Sequence, residues 1–326
     1  MAHSDPIDPE QASSRRGRRL ERRQRRESGR ASGALYPRWY WPSFATPAIL
    51  YLALFFVLPF YVILGVAFGT RDPVDLSAIP IWQPWWWTGL ATRKVFQRIR
   101  DFQWPVYVRT FLYVLIASVL CILIGYLVAY YVARFGGKRR GVYLALLIAP
   151  FFISYLMRML AWINLLQPDG YVARFINTLP FVPHNVDWLG ANPVTLVLGL
   201  VYGYVPYMIL PLYGFLDSIG GALLEAGRDL GASPVRTFLR VTLPLSRPAI
   251  LAGVVIVSLP MFGDYYTHDL LTPNPRTSMI GNVLDEAVGQ AGHGAEAAVY
   301  VLILVAILLL PLAYYLISTK RTMETR

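Results

Sequence analysis

Apolar residues are gathered into six long runs along the chain, and the polar stretches between them carry most of the charge. Each run is close to the roughly 20 residues that an α-helix needs to cross the hydrocarbon core of a bilayer. Helices are expected here because backbone polar groups in lipid must be paired within their own segment. The predicted spans cover residues 46–69, 107–134, 141–165, 193–216, 247–268 and 296–318. The pattern therefore predicts an all-α membrane protein with six transmembrane helices.

Prolines inside two of these runs predict irregular helices. Pro59 lies in the first predicted span, and Pro206 and Pro211 lie in the fourth. A proline removes one backbone donor, and its ring clashes with the preceding turn. Both spans are therefore expected to be kinked, with neighbouring helices pairing the freed carbonyl groups.

The composition agrees with this pattern. Hydrophobic residues make up 56% of the chain, charged residues only 15%, and the mean hydropathy is +0.45. These values are typical of membrane proteins. The net charge of +11 would fit a nucleic-acid partner, but ten of the 30 Lys and Arg residues precede the first apolar run. This distribution argues against nucleic acid, and no such partner is expected.

The sequence lacks the motifs of metal sites and of common enzymes. Cys121 is the one cysteine and lies in an apolar run, while the four histidines are scattered without ligand spacing. A phosphate-binding loop is also missing, because Gly137-Lys138 is followed by Arg139 and no glycine lies at the required earlier position. The sequence therefore predicts no metal or other cofactor and no enzymatic activity, and ATP hydrolysis is not expected on this chain.

The basic residues predict the orientation in the membrane. An even number of spans places both termini on one side, and 21 Lys and Arg residues fall on the side of the N-terminal tail against seven on the other. Cytoplasmic loops carry the excess of Lys and Arg. The tail of residues 1–38, the polar segment 221–244 and the C-terminal tail 319–326 are therefore predicted to be cytoplasmic.

The tail of residues 1–38 is rich in Arg, Ser and Glu and has no apolar core, which predicts disorder. Two roles are open. The tail could be attracted to anionic lipid headgroups, at about 1 kcal/mol per basic residue near the surface. Alternatively, it could serve only as a topological anchor.

The segment 221–244 reads GALLEAGRDLGASPVRTFLRVTLP and predicts two short helices with a joint between them. Gly231 lies where a helix C-terminus favours a residue that tolerates positive φ. Ser233 and Pro234 then follow as an N-cap and a first-turn proline. The apolar face of the first helix consists of Leu223, Ala226, Gly227 and Leu230. Taken alone, this pattern also fits an ordinary helical loop between membrane spans.

The order of residues in this segment resembles the EAA loop of permeases from bacterial ABC importers. Glu225-Ala226 is followed by Gly231 and then by Val241-x-Leu243-Pro244 at the spacing of that family. This chain departs from the pattern at Gly227, where the family has Ala, and at Val241, where it has Ile. The resemblance implies a coupling helix that docks on a separate ATPase subunit. The residues that it assigns to coupling are Glu225, Ala226, Gly227, Asp229, Gly231, Ala232, Ser233 and Pro244.

The resemblance also implies an architecture and a set of partners. The fold would be that of a type I ABC importer permease in the bacterial inner membrane, with its transmembrane permease domain at residues 107–318. Partners would be two copies of a cytoplasmic ATP-binding subunit, a second permease subunit and an external substrate-binding protein. Residues 39–106 would form the first transmembrane helix and an external loop rich in tryptophan. These tryptophans would mark the membrane–water interface or form a shelf that contacts the binding protein.

Two ionisable residues lie inside predicted spans and are candidates for function because burying charge in a membrane is costly. Arg158 and Asp264 each lie 17 residues from the start of a span, or about 25 Å along a straight helix. Asp264 would present a negative surface to a cationic substrate, and aromatic rings would add cation–π attraction of about 0.5–2 kcal/mol. The proposed substrate path consists of Asp264, Tyr265, Tyr266, Asp269, Arg158, Trp162 and Tyr204. Alternatively, Arg158 and Asp264 pair structurally or lie in the outer interface.

Two segments are similar to those of spermidine/putrescine permeases in particular. The residues 150–162, PFFISYLMRMLAW, resemble their third span, and 258–284 resemble their FGDYxTPxLLGG…MIGN signature. This chain differs at His268, where Pro is usual, and at Thr272-Pro273, where Gly-Gly is usual. The resemblance covers residues 44–318 and implies polyamine import. Iron, thiamine, sulfate and molybdate systems share the EAA architecture and remain alternatives.

Two other classes of protein are alternatives to this interpretation. An ATP-independent secondary carrier would use Asp264 as a proton or ion site and would not need a motif-bearing loop. A membrane scaffold or signalling protein would depend on its basic tail. Deleting residues 1–38 separates the scaffold from a transporter, which would keep most of its activity.

Overall fold

The computed structural model describes residues 40–72, 78–178 and 186–324. The predicted basic tail of residues 1–38 lies outside the described residues. The chain divides into two compact units within its first helix, one ending at Val62 and the other beginning at Ile63. Every site discussed below belongs to the second unit.

The first helix, α1 (40–67), is unbroken. It consists of Tyr40–Leu52, a π-helical turn at Ala53–Val57 and Leu58–Ala67. The π-helical turn ends two residues before Pro59. This proline removes a backbone donor from the helix. A π-helical turn therefore accompanies the proline, and the helix continues through it.

The predicted external loop contains regular structure. Strand β1 (Thr70–Arg71) pairs antiparallel with β2 (Ala78–Ile79), and a 3₁₀ turn covers Pro84–Trp86. Helix α2 (Leu90–Arg98) then passes through a π-helical segment into α3 (Trp104–Phe135), giving a continuous helix of 46 residues. The helix therefore starts well before residue 107, where the apolar run begins.

The rest of the second unit is helical. Its helices are α4 (Arg140–Ile148), α5 (Tyr155–Leu166), α6 (Tyr171–Asn177), α7 (Pro193–Ser218), α8 (Gly221–Asp229), α9 (Pro234–Thr237), α10 (Leu243–Leu245), α11 (Arg247–Phe262), α12 (Tyr266–Leu271), α13 (Ile280–Gly289) and α14 (Gly294–Glu324). In the described residues, four helices are long and apolar enough to cross a membrane, and two bent pairs raise the number to six. The six predicted spans correspond to these six.

The third span is bent by 89°, which the sequence pattern did not predict. Helix α4 ends at Ile148 and is followed by a 3₁₀ turn over Ala149–Phe152, which contains Pro150. Ile153 and Ser154 then adopt extended geometry before α5 begins. Arg158 therefore does not lie 25 Å along a straight helix from the start of the span, and that estimate was wrong.

The fifth span also differs from the prediction of one helix over 247–268. Helix α11 ends at Phe262, short of the predicted end, while the 61° bend at Ser246 lies just before the predicted span. Asp264 Oδ1 accepts the backbone N–H of Thr267 at 2.9 Å, which caps the start of α12. Helix α7, in contrast, continues through both of its prolines.

Helices α3, α7 and α11 form the main core of the second unit. Close approach of these helices depends on glycine: a Cβ on Gly125 would lie 2.9 Å from Met208 Cγ, and one on Gly253 would lie 2.5 Å from Met208 Sδ. The buried side chains of this core include Ala117, Cys121, Leu200, Leu212, Val257 and Met261. A second cluster joins α2 to α13 and α14 through Val95, Ile99, Ala287, Ala298 and Tyr300.

Candidate functional site

The joint in segment 221–244 has the predicted geometry. Gly231 has φ +79°, its N–H donates to Arg228 O, and the N–H of Ala232 donates to Gly227 O. These two bonds define a Schellman motif, which satisfies carbonyl groups at the end of α8. Ser233 Oγ accepts the N–H of Arg236 at 3.3 Å and caps α9, whose first residue is a proline. The predicted C-terminal glycine and N-cap are thus confirmed.

Gly227, one of the departures from the EAA pattern, sits against α9. A Cβ at this position would lie 3.4 Å from Thr237 Cγ2, which is an ordinary van der Waals distance. The site therefore has room for the alanine that the family usually carries.

Segment 221–244 exposes two acidic residues together with apolar side chains. Glu225 and Asp229 are exposed, and Leu230 is 89% exposed at the tip of the joint. Val235 and Leu239 are also more than half exposed. Exposed apolar side chains bordered by polar ones are typical of protein–protein contact sites.

The same segment is packed onto α3 at its other face. Phe238 makes edge-on contacts with the rings of Tyr126 and Tyr130, at centroid distances of 5.6 and 5.4 Å. Ser246, at the bend in the fifth span, donates to Leu243 O and lies 3.0 Å from the Tyr126 hydroxyl. A displacement of the segment would therefore reach α3 through Tyr126 and Tyr130.

Asp264 lies just beyond the end of α11 and is 7% exposed. Its Oδ2 accepts hydrogen bonds from the hydroxyls of Thr267 at 2.7 Å and Tyr204 at 3.0 Å, and it lies 3.4 Å from the Tyr155 hydroxyl. A further hydrogen bond joins the Tyr155 and Thr267 hydroxyls. We call these four residues the Asp264 cluster. In the described part of the chain, no Lys, Arg or His forms an ion pair with Asp264.

Two glycines of α7 allow this cluster to form. A Cβ on Gly199 would lie 2.7 Å from Thr267 Cγ2, so α12 approaches α7 closely only because this side chain is missing. A Cβ on Gly203 would lie 3.1 Å from the Tyr155 ring. Three separate elements, α5, α7 and the α11–α12 connection, therefore meet at the Asp264 carboxylate.

Arg158 lies next to the cluster but does not pair with Asp264. Its guanidinium carbon is 4.4 Å from the ring centre of Phe151, 5.2 Å from that of Tyr155 and 5.9 Å from that of Tyr202. We call these three rings the Arg158 cage. Arg158 is 8% exposed, and its Nε and Nη1 are buried with no hydrogen-bond partner among the described residues.

The structure separates the predicted path residues into groups. Tyr204 joins the Asp264 cluster, and Trp162 packs edge-on against Tyr202 behind the Arg158 cage. Tyr265 and Tyr266, by contrast, stack on each other at 4.2 Å, and Tyr266 is half exposed. Among the described residues, neither tyrosine side chain forms a hydrogen bond with the Asp264 carboxylate, so the predicted joint surface is only partly assembled.

Asp269 lines a cavity that does not include Asp264. Its Oδ1 lies 2.9 Å from His268 Nδ1 and accepts a hydrogen bond from Asn282 at 2.7 Å. The cavity has a volume of about 590 Å³ and also borders Asp285 and Glu286. Nearby, the Arg109 guanidinium of α3 donates to backbone carbonyl groups at residues 275, 276 and 278, which fixes this loop to α3.

Sequence reasoning missed four residues of this region: Phe151, Tyr155, Tyr202 and Thr267. Tyr155 is three residues before Arg158 and Thr267 three residues after Asp264, a spacing that brings side chains together in helices and caps. The sequence therefore contained a local signal for Tyr155 and Thr267. The described residues contain no group of three or more His, Cys, Asp or Glu that could hold a metal ion.

Comparisons with known proteins identify the family. Residues 121–322 match the family described as "Binding-protein-dependent transport system inner membrane component". The chain is also 34% identical to the "Spermidine/putrescine transport system permease protein PotB" of Escherichia coli (strain K12) over 238 residues, which cover 72% of this chain and 81% of that protein. The chain belongs to this permease family. It is therefore a multi-pass inner-membrane protein and a permease of an ABC importer.

Two further similarities agree with this assignment. The chain is 29% identical to "Inner membrane ABC transporter permease protein YdcU" of Escherichia coli (strain K12) over 265 residues, covering 77% of this chain and 81% of that permease. In fold, it resembles a chain of a bacterial alginate ABC transporter with a TM-score of 0.68, at 16% identity, covering 87% of this chain and 95% of that one. The permease fold predicted from the EAA loop is thus confirmed.

Proposed function

We propose that this permease carries polyamines such as spermidine and putrescine across the membrane. The observation that carries the proposal is the Asp264 carboxylate, which is buried among neutral donors with no cation partner among the described residues. A buried carboxylate is expected to be paired, and an organic ammonium group of the substrate supplies that pair. The similarity to spermidine/putrescine permeases supports the same substrate class.

The proposed path uses the predicted residues in two positions. Asp264, Tyr204, Arg158 and Trp162 line it at membrane depth. Tyr265, Tyr266 and Asp269 lie nearer the outer opening, where an acidic and aromatic surface attracts cations.

Coupling to ATP hydrolysis takes place through segment 221–244. Two copies of a separate cytoplasmic ATP-binding subunit hydrolyse ATP, and the exposed Glu225 and Leu230 contact one of them. Closure of the ATPase dimer moves this segment, and the contacts of Phe238 transmit the movement to α3. A second permease subunit completes the path, and an external binding protein delivers the substrate.

This scheme sets the orientation and the organisation of the chain. Both termini and segment 221–244 face the cytoplasm, in keeping with the distribution of basic residues. The tail of residues 1–38 precedes the first helix and external loop (39–106), the permease domain covers 107–318, and residues 319–326 emerge into the cytoplasm.

One observation favours a second candidate. The buried Arg158 guanidinium lacks an acceptor for two of its nitrogens among the described residues, and an anion such as sulfate would supply one. A permease for an anionic substrate is therefore the alternative.

Uptake by proteoliposomes that contain the whole complex decides between the candidates. Loaded binding protein is supplied with labelled spermidine, putrescine, ferric iron or sulfate. We expect uptake of the polyamines only, and an at least tenfold lower rate in Asp264→Asn, because loss of one charged hydrogen-bonding partner costs about 1.5–3 kcal/mol. Asp101→Asn removes an exposed carboxylate as a control and is expected to behave like the wild type. Sulfate uptake, or full polyamine uptake by Asp264→Asn, would contradict the proposal.

A further inference from the structure

Asp264 and Arg158 are two buried, oppositely charged side chains that do not pair with each other. Among the residues that the structure describes, Asp264 is bound by hydroxyl groups and has no cation partner, whereas Arg158 is surrounded by aromatic rings and has no anion partner. Tyr155 is shared, since its hydroxyl is bound to the Asp264 cluster and its ring faces Arg158. A buried cation without a counter-ion is costly, and the faces of three rings offset that cost. An aromatic cage of this kind also suits an alkylammonium group.

We propose that the Arg158 cage is an organic-cation site whose occupant in this state is the side chain of the protein's own Arg158. The inference rests on the proposed function, because it requires a substrate with at least two ammonium groups. One ammonium binds Asp264, and the other exchanges with the Arg158 guanidinium in the cage.

The geometry suits such an exchange. The two cation positions share Tyr155, whose hydroxyl lies 3.4 Å from Asp264 Oδ2 and whose ring centre lies 5.2 Å from the Arg158 guanidinium carbon. Arg158 enters the cage from α5, and Ile153 and Ser154 just before this helix are extended. Arg158 is thus a tethered competitor for the substrate.

Competition between Arg158 and the substrate for the cage affects both binding and release of the substrate. A site on a transport path has to bind its substrate well enough to admit it and weakly enough to release it. Arg158 weakens binding of a dication at Asp264, and its return to the cage expels the second ammonium. Arg158 also changes the selectivity between amines. It opposes the binding of a diamine, whereas a monoamine binds Asp264 without needing the cage.

The test measures equilibrium binding of putrescine and of n-butylamine to the purified complex of permease and ATPase subunits without binding protein. In Arg158→Gln, we expect the Kd for putrescine to fall about tenfold, as one cation–π contact becomes available to the substrate. The Kd for n-butylamine should fall less than threefold. The maximal uptake rate of putrescine should fall in the same variant because release is slower.

Three variants make this test specific. Arg158→Met fills the site with an apolar chain and is used if Arg158→Gln does not assemble with the ATPase subunits. Adding Tyr202→Ala to Arg158→Gln should abolish the gain, since it removes one wall of the cage. Arg174→Gln removes an exposed positive charge and should leave both affinities unchanged.

Two results would overturn the inference while leaving polyamine import intact. One is wild-type uptake of putrescine together with an unchanged or weaker affinity in both Arg158 variants. The other is an equal gain for putrescine and n-butylamine, which would show a general effect of charge. If neither the wild type nor the variants bind or take up putrescine, both the inference and the proposed function are wrong.

Discussion

At the scale of single residues, the backbone conformation of Gly231 matters more than its side-chain environment. A Cβ at this position would meet nothing within 4 Å, so steric crowding does not require glycine. The φ of +79° does, because L-residues pay roughly 1–2 kcal/mol to adopt left-handed geometry. Its conformation fixes the angle at which α8 and α9 are presented.

We therefore expect Gly231→Ala to reduce the ATPase stimulation that substrate-loaded binding protein produces. The strain of about 1–2 kcal/mol opens the Schellman motif and misaligns Glu225 relative to α9. Gly227→Ala is the matched control: it restores the EAA pattern, fits against Thr237 and should preserve coupling. Full stimulation in Gly231→Ala would show that the joint is not needed for coupling.

Gly199 permits a second prediction at this scale. A new Cβ there would press on Thr267, whose β-branched side chain has little freedom to move. We expect Gly199→Ala to lower the thermal stability of the purified complex by a few degrees and to impair uptake, because Thr267 holds Asp264. Gly214→Ala changes the same helix at a position with nothing within 4 Å, and it should be neutral or slightly stabilising. Equal effects of the two variants would contradict close packing at Gly199.

At the scale of elements, the connection between segment 221–244 and α3 depends on a few contacts around the bend at Ser246. Phe238 supplies aromatic packing and Tyr126 a hydrogen bond. Aromatic pairs of this kind contribute about 0.5–1.5 kcal/mol beyond the area that they bury.

We expect Phe238→Ala to separate ATP hydrolysis from transport. Basal ATPase activity should persist, since the exposed face of the segment is unchanged, while uptake per ATP hydrolysed falls several-fold. Phe111→Ala removes an exposed ring from α3 as a control and should leave the ratio unchanged. Parallel loss of hydrolysis and uptake in Phe238→Ala would show that the residue serves assembly and not transmission.

The elements also show what the sequence can predict. The six spans and both helix ends around Gly231 follow from local rules, namely apolar runs of sufficient length and capping residues at fixed offsets. The 89° bend after Pro150 and the end of α11 before Asp264 do not follow from run length, because the apolar pattern continues through both. They depend on a proline and on a side-chain cap inside an otherwise uniform run.

Prediction of the Asp264 region was limited by the same cause. The break at Gly263 separates Asp264, which binds Tyr204 and Thr267, from Asp269, which lines the cavity near Asn282. Tyr155 reaches Asp264 across 109 residues of sequence. Such a contact depends on how α5 and α7 pack, and no local pattern encodes it.

At the scale of the whole molecule, the chain is one component of a transport system. Its family places it in the inner membrane as the permease of a binding-protein-dependent transport system. In the proposed mechanism, the exposed segment 221–244 of the second unit contacts the ATPase partner and the buried Asp264 cluster binds the substrate. The contacts of Phe238 with α3 provide the first step of a physical connection between them.

The central claim is that ATP hydrolysis by a partner subunit is coupled through this permease to polyamine import. The most direct test is the ATPase activity of the reconstituted complex, titrated with binding protein loaded in turn with spermidine, putrescine, ferric iron and sulfate. Glu225→Lys reverses an exposed charge in segment 221–244 and provides the coupling-deficient reference. The account predicts stimulation by the polyamines alone, and none in Glu225→Lys. Stimulation by sulfate or iron, or polyamine uptake without nucleotide, would contradict it.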